Sequence, residues 1–330
     1  MFSMSIAEII SSLYLLLSSP WVWLILVASL MYAAGNYIDE LLISKYNQEV
    51  GTMVLISTLF GGVVVAVFYA LAWYYDVSII LDQPIILQAL AVGVLEALWV
   101  IPYLYATERS GAIVAGPLFQ AVPIFALAIE ATLGVIPPMI QIIGACIIVA
   151  GGILVAIEQE DDEDGKTGHV INWVTIGMMS ISTILVSLIY VLFRDAAIAT
   201  NFIGVGFWVG LGTLLTGIAI YIIYKPYRKD FNTFCKSANY KAVAIQFFNE
   251  ILDAGGVYMT NLATTLGPSV MVVTAFNATQ PLFVGMIAGL LSFWGIASLS
   301  TQRAENGAWK IIGLGILLIA VGIIVISLGT

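Results

Sequence analysis

The sequence predicts an all-α integral membrane protein of about ten transmembrane helices, arranged as two inverted five-helix repeats. Three observations lead there. The 330 residues are 61% hydrophobic and only 9% charged, with a mean hydropathy of +1.04, whereas a soluble globular chain carries about 25% charged residues. About ten apolar runs are each long enough to cross a bilayer core of roughly 30 Å, which takes about 20 residues of helix. Residues that are costly to bury in lipid also recur at one spacing. Glu96 and Asp253 stand 157 residues apart, as do Phe119-Gln120-Ala121 and Phe276-Asn277-Ala278. A membrane barrel would alternate with period two, and these runs are continuously apolar.

The runs fall at 20–43, 52–74, 85–106, 112–133, 139–157, 173–193, 202–224, 242–263, 269–294 and 308–328. Residues 1–19 precede them as an N-terminal interfacial segment. Within it, 5–17 is apolar but short and lacks the basic start of a signal peptide. Serine before proline favours a helix start, so Ser19 is expected as N-cap and Pro20 as the first residue of the first span. Residues 20–157 then form the first five-helix repeat, 158–170 an acidic linker and 171–330 the second repeat. Glu158, Glu160, Asp161, Asp162, Glu163 and Asp164 supply much of the net charge of −9. Simple solvation is their expected role, because the spacing of an EF-type calcium loop is absent. Five spans on each side of the linker force the second half into the membrane upside down relative to the first.

The copies agree best around spans three–four and eight–nine. Ala106 falls on Ala263, Gly111 on Pro268 and Gln120 on Asn277; one residue is then gained, so that Pro123 meets Pro281. Ile142-Ile143-Gly144 answers Ile311-Ile312-Gly313 across a longer loop near 295–307. Pro117-Leu118-Phe119-Gln120, Pro123-Ile124-Phe125, Leu133-Gly134, Pro137-Pro138, Gln141 and Gly144 through Gly152 resemble the end of the first EamA repeat. Gly267-Pro268, Asn277, Gln280-Pro281-Leu282-Phe283 and the Gly313 to Gly322 span resemble the second. EamA proteins belong to the drug/metabolite transporter superfamily. The resemblance covers most of residues 20–328 and implies ten helices packed around a central cavity, with alternating access. Its motifs specify the fold far more than a substrate. Such repeats often carry a glutamate directly after Leu-Gly; this chain has Val135 there, so no role of that glutamate carries over.

Ionisable groups inside a membrane helix cost several kcal/mol unless they face a cavity or a partner. Glu96, near the middle of span three, is therefore a candidate, with a structural hydrogen bond as the plainer alternative. In span eight, Gln246, Asn249, Glu250, Asp253, Tyr258, Thr260 and Asn261 recur mostly at three- and four-residue steps and so share a stripe. Glu250 and Asp253 lie one turn apart. Two carboxylates so close in low dielectric resist being ionised together, which is what proton coupling needs; solvation of Glu250 near the entrance is the alternative. Gln120, Asn277 and Gln280 are candidate substrate-binding amides, donors and acceptors at once. Pro123 and Pro281 should each free a backbone carbonyl one turn earlier. Asn36, Asp39 and Glu40 share a face at the end of span one and are the expected gate, paired with Lys45 or Arg194, or simply solvated at the interface. Trp99, Tyr103 and Tyr105 are discounted as cavity-lining because aromatics are common at membrane rims.

The spans hold no Lys or Arg in their interiors, which favours a cationic, zwitterionic or neutral substrate over an anion. Cys146 lies mid-span and Cys235 in a loop, so no structural disulfide is expected, and no spacing suits a metal. No cofactor is expected. His169, the one histidine, sits in the linker, and no enzyme signature such as His-Glu-x-x-His occurs. The acidic balance speaks against nucleic acid. The expected partners are a small-molecule substrate, the lipid bilayer and protons as coupling ion, with a homodimer left open. Most Lys and Arg residues flank odd-numbered loops, above all 225–241. The positive-inside rule puts those loops in the cytoplasm, whereas the family resemblance implies both termini there. The expectation is a multi-pass cell-membrane protein working as a secondary active transporter, with an uncoupled facilitator or a non-transporting receptor as alternatives.

Overall fold

A computed structural model describes residues 6–46, 48–110, 118–158, 173–237, 240–293 and 308–329. The acidic linker beyond Glu158, His169, Gly111 and the loop near 295–307 lie outside the described residues. Among those described, the structure is helical without strands. In chain order the helices are α1 (Ile6–Ser18), α2 (Pro20–Tyr46), α3 (Val50–Tyr75), α4 (Gln83–Ser110), α5 (Val122–Thr132), α6 (Met139–Glu158) and α7 (Trp173–Ala199). They continue as α8 (Phe202–Ile223), α9 (Lys225–Ser237), α10 (Tyr240–Leu266), α11 (Val270–Ala275), α12 (Gln280–Phe293) and α13 (Ala308–Ser327), with a 3₁₀ turn, Phe276–Thr279, between α11 and α12.

Among the described residues, six stretches are long and apolar enough to cross a membrane: Pro20–Ile43, Val50–Tyr75, Gln83–Arg109, Trp173–Ala199, Phe202–Ile223 and Val270–Ile287. The remaining expected spans fall short for physical reasons. α10 is long, but Gln246, Asn249, Glu250, Asp253 and Asn261 make it polar. Val122–Thr132, Met139–Leu154 and Gly313–Ser327 are apolar but shorter.

Local chemistry explains several boundaries. Pro20 opens α2, where its missing N–H costs nothing. Ser19 does not cap it; its hydroxyl turns back to donate to the Leu15 carbonyl at 3.1 Å, closing α1 instead. α1 does more than lie alongside, since Leu16 is fully buried in the main core and the helix rests on α13 and α2. Asn201 caps α8 by accepting from the Gly204 N–H at 2.6 Å, and Ser269 caps α11 by accepting from Val272 at 3.2 Å. Cys235, expected in a loop, lies on the basic helix α9 and is exposed.

Glycines set the closest helix contacts. α6 and α13 form one tight pair: a Cβ on Gly144 would sit 2.9 Å from the Gly322 carbonyl, and one on Gly322 would sit 2.7 Å from the Gly144 carbonyl. α4 and α8 approach the same way, a Cβ on Gly212 reaching 2.5 Å from the Leu90 carbonyl. Membrane helices gain dispersion contact from such approaches where lipid offers no hydrophobic drive. Around these pairs α4 packs on α7, α10 on α2, α3 on α8, α5 on α7 and α12 on α2.

Candidate functional site

The polar stripe of α10 turns inward, toward α2, α4 and α7. There the helices enclose a cavity of about 820 Å³, its mouth included. Asp39, Glu96 and Asp253 line it, with the amides Asn36, Gln120, Asn249, Asn277 and Gln280. No Lys, Arg or His lines it among the described residues.

Each polar group is held by a neighbouring helix. On α2, Asp39 accepts from the Asn249 amide of α10 at 2.7 Å and from the Tyr103 hydroxyl of α4 at 3.1 Å. The same hydroxyl lies 3.3 Å from the Asn36 side-chain oxygen. Glu96 accepts from the indole N–H of Trp99 at 3.1 Å, one turn along α4, while its other oxygen is buried without a hydrogen-bond partner. Asn277 accepts from Ser29 at 3.0 Å. Tyr32 and Tyr190 meet hydroxyl to hydroxyl at 3.1 Å. Trp99, Tyr103 and Phe119 form an aromatic group with ring centroids 5.4–5.8 Å apart.

A second chamber, of about 490 Å³ with its opening, lies between α3, α4, α8 and α10. It shares Glu96, Trp99, Asp253 and Val257 with the first, and adds Glu250, Ser57 and Thr213. Glu250 is 4% exposed and accepts a short hydrogen bond from Gln246 one turn earlier on α10. It is therefore not a solvated entrance residue. The two carboxylates of the sequence echo, Glu96 and Asp253, form the common wall of both chambers.

Seven of the nine residues expected at a site thus border the central cavity: Asn36, Asp39, Glu96, Gln120, Asp253, Asn277 and Gln280. Glu250 borders the second chamber only. Glu40 lies on α2, but its side chain is outside the described residues. Arg194 is not a partner of Asp39. It donates to the backbone carbonyls of Thr264, Gly267 and Pro268 at 2.7–3.2 Å and lies 3.8 Å from Glu130.

The freed-carbonyl cradle is corrected as well. Pro123 is the second residue of α5, where no helical hydrogen bond is lost. Ahead of Pro281, the Asn277 carbonyl is taken by the Gln280 N–H in the 3₁₀ turn.

Sequence reasoning discounted Trp99 and Tyr103, which line the cavity; Tyr105 instead accepts from Tyr227 of α9 at 3.2 Å. It missed Glu130 altogether. That side chain is 2% exposed and accepts from the N–H groups of Val270 and Met271 at 2.8 and 3.0 Å, joining the two halves. A lone carboxylate in the apolar run 112–133 was the signal available.

Residues 19–157 match the EamA-like transporter family. Along almost its whole length the chain is similar to a protein of known crystal structure, 16% identical, with a TM-score of 0.63; the match covers 94% of this chain and 96% of that one. At that identity the likeness concerns the fold alone. No curated protein matches the sequence.

Proposed function

We propose that this chain, whose residues 19–157 match the EamA-like transporter family, is a member of the drug/metabolite transporter superfamily and a secondary active transporter. It moves a small polar, cationic or zwitterionic organic molecule across the cell membrane by alternating access, coupled to protons. The observation that carries the reading is the pair Glu96 and Asp253, bordered by two chambers at once. The central cavity brings the amides Gln120, Asn277 and Gln280 to these carboxylates, donors and acceptors for a small polar substrate. The second chamber leads to the same carboxylates past Glu250, Ser57 and Thr213, groups suited to passing a proton. In low dielectric, neighbouring carboxylates do not readily share full charge, so an occupant on one side and protons on the other compete for them.

The packing supports ten spans in two inverted repeats. With α2 paired to α7, α3 to α8, α4 to α10, α5 to α11–α12 and α6 to α13, the contact of α4 on α7 is mirrored by α10 on α2. The contact of α5 on α7 is mirrored by α12 on α2. Not every contact has its counterpart: α4 lies close along α8, whereas α10 barely touches α3, and the second chamber occupies that gap. A repeat protein caught with one half closed and the other open has this asymmetry.

Uptake into proteoliposomes, with and without an imposed pH gradient, tests the proposal. Gradient-driven accumulation should be lost in Asp253→Asn and in Glu96→Gln. If both variants accumulate substrate as the parent does, these carboxylates do not couple. A substrate that only ever runs down its own gradient, at any pH, makes the protein a facilitator.

A further inference from the structure

We infer that the central cavity is built for an organic ammonium ion, its charge beside Asp253 and Glu96 and its carbon frame against the aromatic group of Trp99, Tyr103 and Phe119. This deepens the transport reading above and rests on it for the identity of the cavity as the substrate site.

The first argument is the inventory of unmet hydrogen-bonding capacity. Asp39 already accepts from two donors. Asp253 accepts from none of the described residues, and one Glu96 oxygen is buried without a partner. Asn249, 5% exposed, spends its N–H on Asp39 and leaves its own oxygen unpartnered. At this acidic end every open position is an acceptor; the cavity's open donors are the amide N–H groups of Gln120, Asn277 and Gln280. A ligand that supplies N–H donors and positive charge completes the acidic end; a carboxylate or phosphate would set acceptor against acceptor there with no buried cation to offset it.

The second argument is the wall. Trp99, Tyr103 and Phe119 pack edge-to-face and tilted around one another, and Trp99 hangs from Glu96 by its own N–H. That bond holds Glu96 at the edge of the indole, and the ring lines the same cavity as Asp253 and Glu96; tryptophan binds cations best of the aromatic side chains. The amides Gln120, Asn277 and Gln280 leave room for a neutral polar substituent. They offer no charge to a second, anionic group, which separates a plain ammonium ion from a zwitterion.

Four probes with one carbon frame decide it: phenethylamine, phenylalanine, phenethyl alcohol and phenylacetate, titrated calorimetrically into the purified full-length chain in lipid nanodiscs. The amine should bind at least tenfold more tightly than any of the other three. Asp253→Asn should weaken the amine more than tenfold and change the alcohol less than twofold, while Asp253→Glu keeps amine binding. Trp99→Phe should retain more affinity than Trp99→Leu. The inference falls if the alcohol, the acid or phenylalanine binds as well as the amine, if Asp253→Asn leaves a folded protein with unchanged amine affinity, or if none of the four binds. Proteoliposomes separate the two readings. Accumulation of phenylalanine or the alcohol without the amine keeps the transporter and discards the cation site. Tight amine binding that no gradient converts into accumulation keeps the cation site and discards the transporter.

Discussion

Asp39 shows how a single side chain can tie three helices around a cavity. It sits on α2 and takes its hydrogen bonds from α4 and α10. Removing one donor leaves a buried carboxylate oxygen unmet, at a cost of about 1.5–3 kcal/mol for a bond to a charged group. Tyr103→Phe should therefore weaken substrate binding by more than tenfold while leaving the purified protein monodisperse; unchanged affinity in a titration would show that Asp39 does not shape the cavity.

Glu130 makes the opposite kind of contribution. It holds the start of α11 and faces Arg194 away from the cavity. Glu130→Gln should lower the thermal midpoint in detergent by several degrees and leave affinity unaltered, since no cavity residue is touched. The acids and amides of the cavity were legible in the sequence because each is conspicuous in an apolar run. Tyr103 and Trp99 were not, because aromatics occur at any membrane depth and only the helix registry reveals which ones face inward. Arg194 misled because a cation near a helix end looks available, whereas three backbone carbonyls already occupy it.

At the scale of elements, boundaries set by apolar length were readable and interruptions were not. The expected span 269–294 is one run in composition but two short helices around a 3₁₀ turn. Phe276-Asn277-Ala278-Thr279 holds no helix breaker of its own; Pro281, which lacks an N–H and whose ring would crowd the Asn277 carbonyl of a continuous helix, favours the break, but a proline alone does not announce one, since Pro102 stands inside an unbroken α4. The glycine contacts carry a direct prediction. Gly322→Leu puts a branched side chain where only 2.7 Å separates a Cβ from the facing carbonyl. Overpacking of this kind costs about 1–3 kcal/mol or more, so a lower thermal midpoint and a broadened size-exclusion peak are expected, whereas Gly313→Ala, with open space around it, should behave as the parent.

The docking of α9 has a pH signature. Burial, with the Tyr105 hydroxyl next in importance, pushes the Tyr227 phenol up. A folded-state value above the unfolded one, about 10 for tyrosine, means that this contribution is complete below about pH 10 and fades as pH climbs past it. Comparison of alkaline unfolding in the parent and in Tyr227→Phe, followed by circular dichroism, should show that the parent loses its advantage only above about pH 10.

For the molecule as a whole, the sequence carries an ordered series of matches between its halves, and among the helix pairs α4–α7 answers α10–α2. What no linear pattern could carry is which pairs are tight and which are apart, because under the proposed alternating access one sequence serves both end states. The open contact between α3 and α10 predicts that Ser57→Cys and Ala254→Cys, both on the second chamber, should be joined by a short bifunctional thiol reagent only when the helices close. Trapping should rise on adding substrate or shifting pH, and the joined protein should no longer transport. A trapping rate indifferent to both would mean that the gap is static.

The shared carboxylate wall carries one more consequence, in the language of linkage. Whatever binds on one side of Glu96 and Asp253 alters the affinity on the other by some factor, and thermodynamics requires the reverse effect to have the same factor. A proton titration performed with and without substrate therefore measures how strongly the substrate's own dissociation constant depends on pH. The number of protons released per substrate bound, read at each pH, then sets a lower limit on the number exchanged per cycle under the proposed coupling.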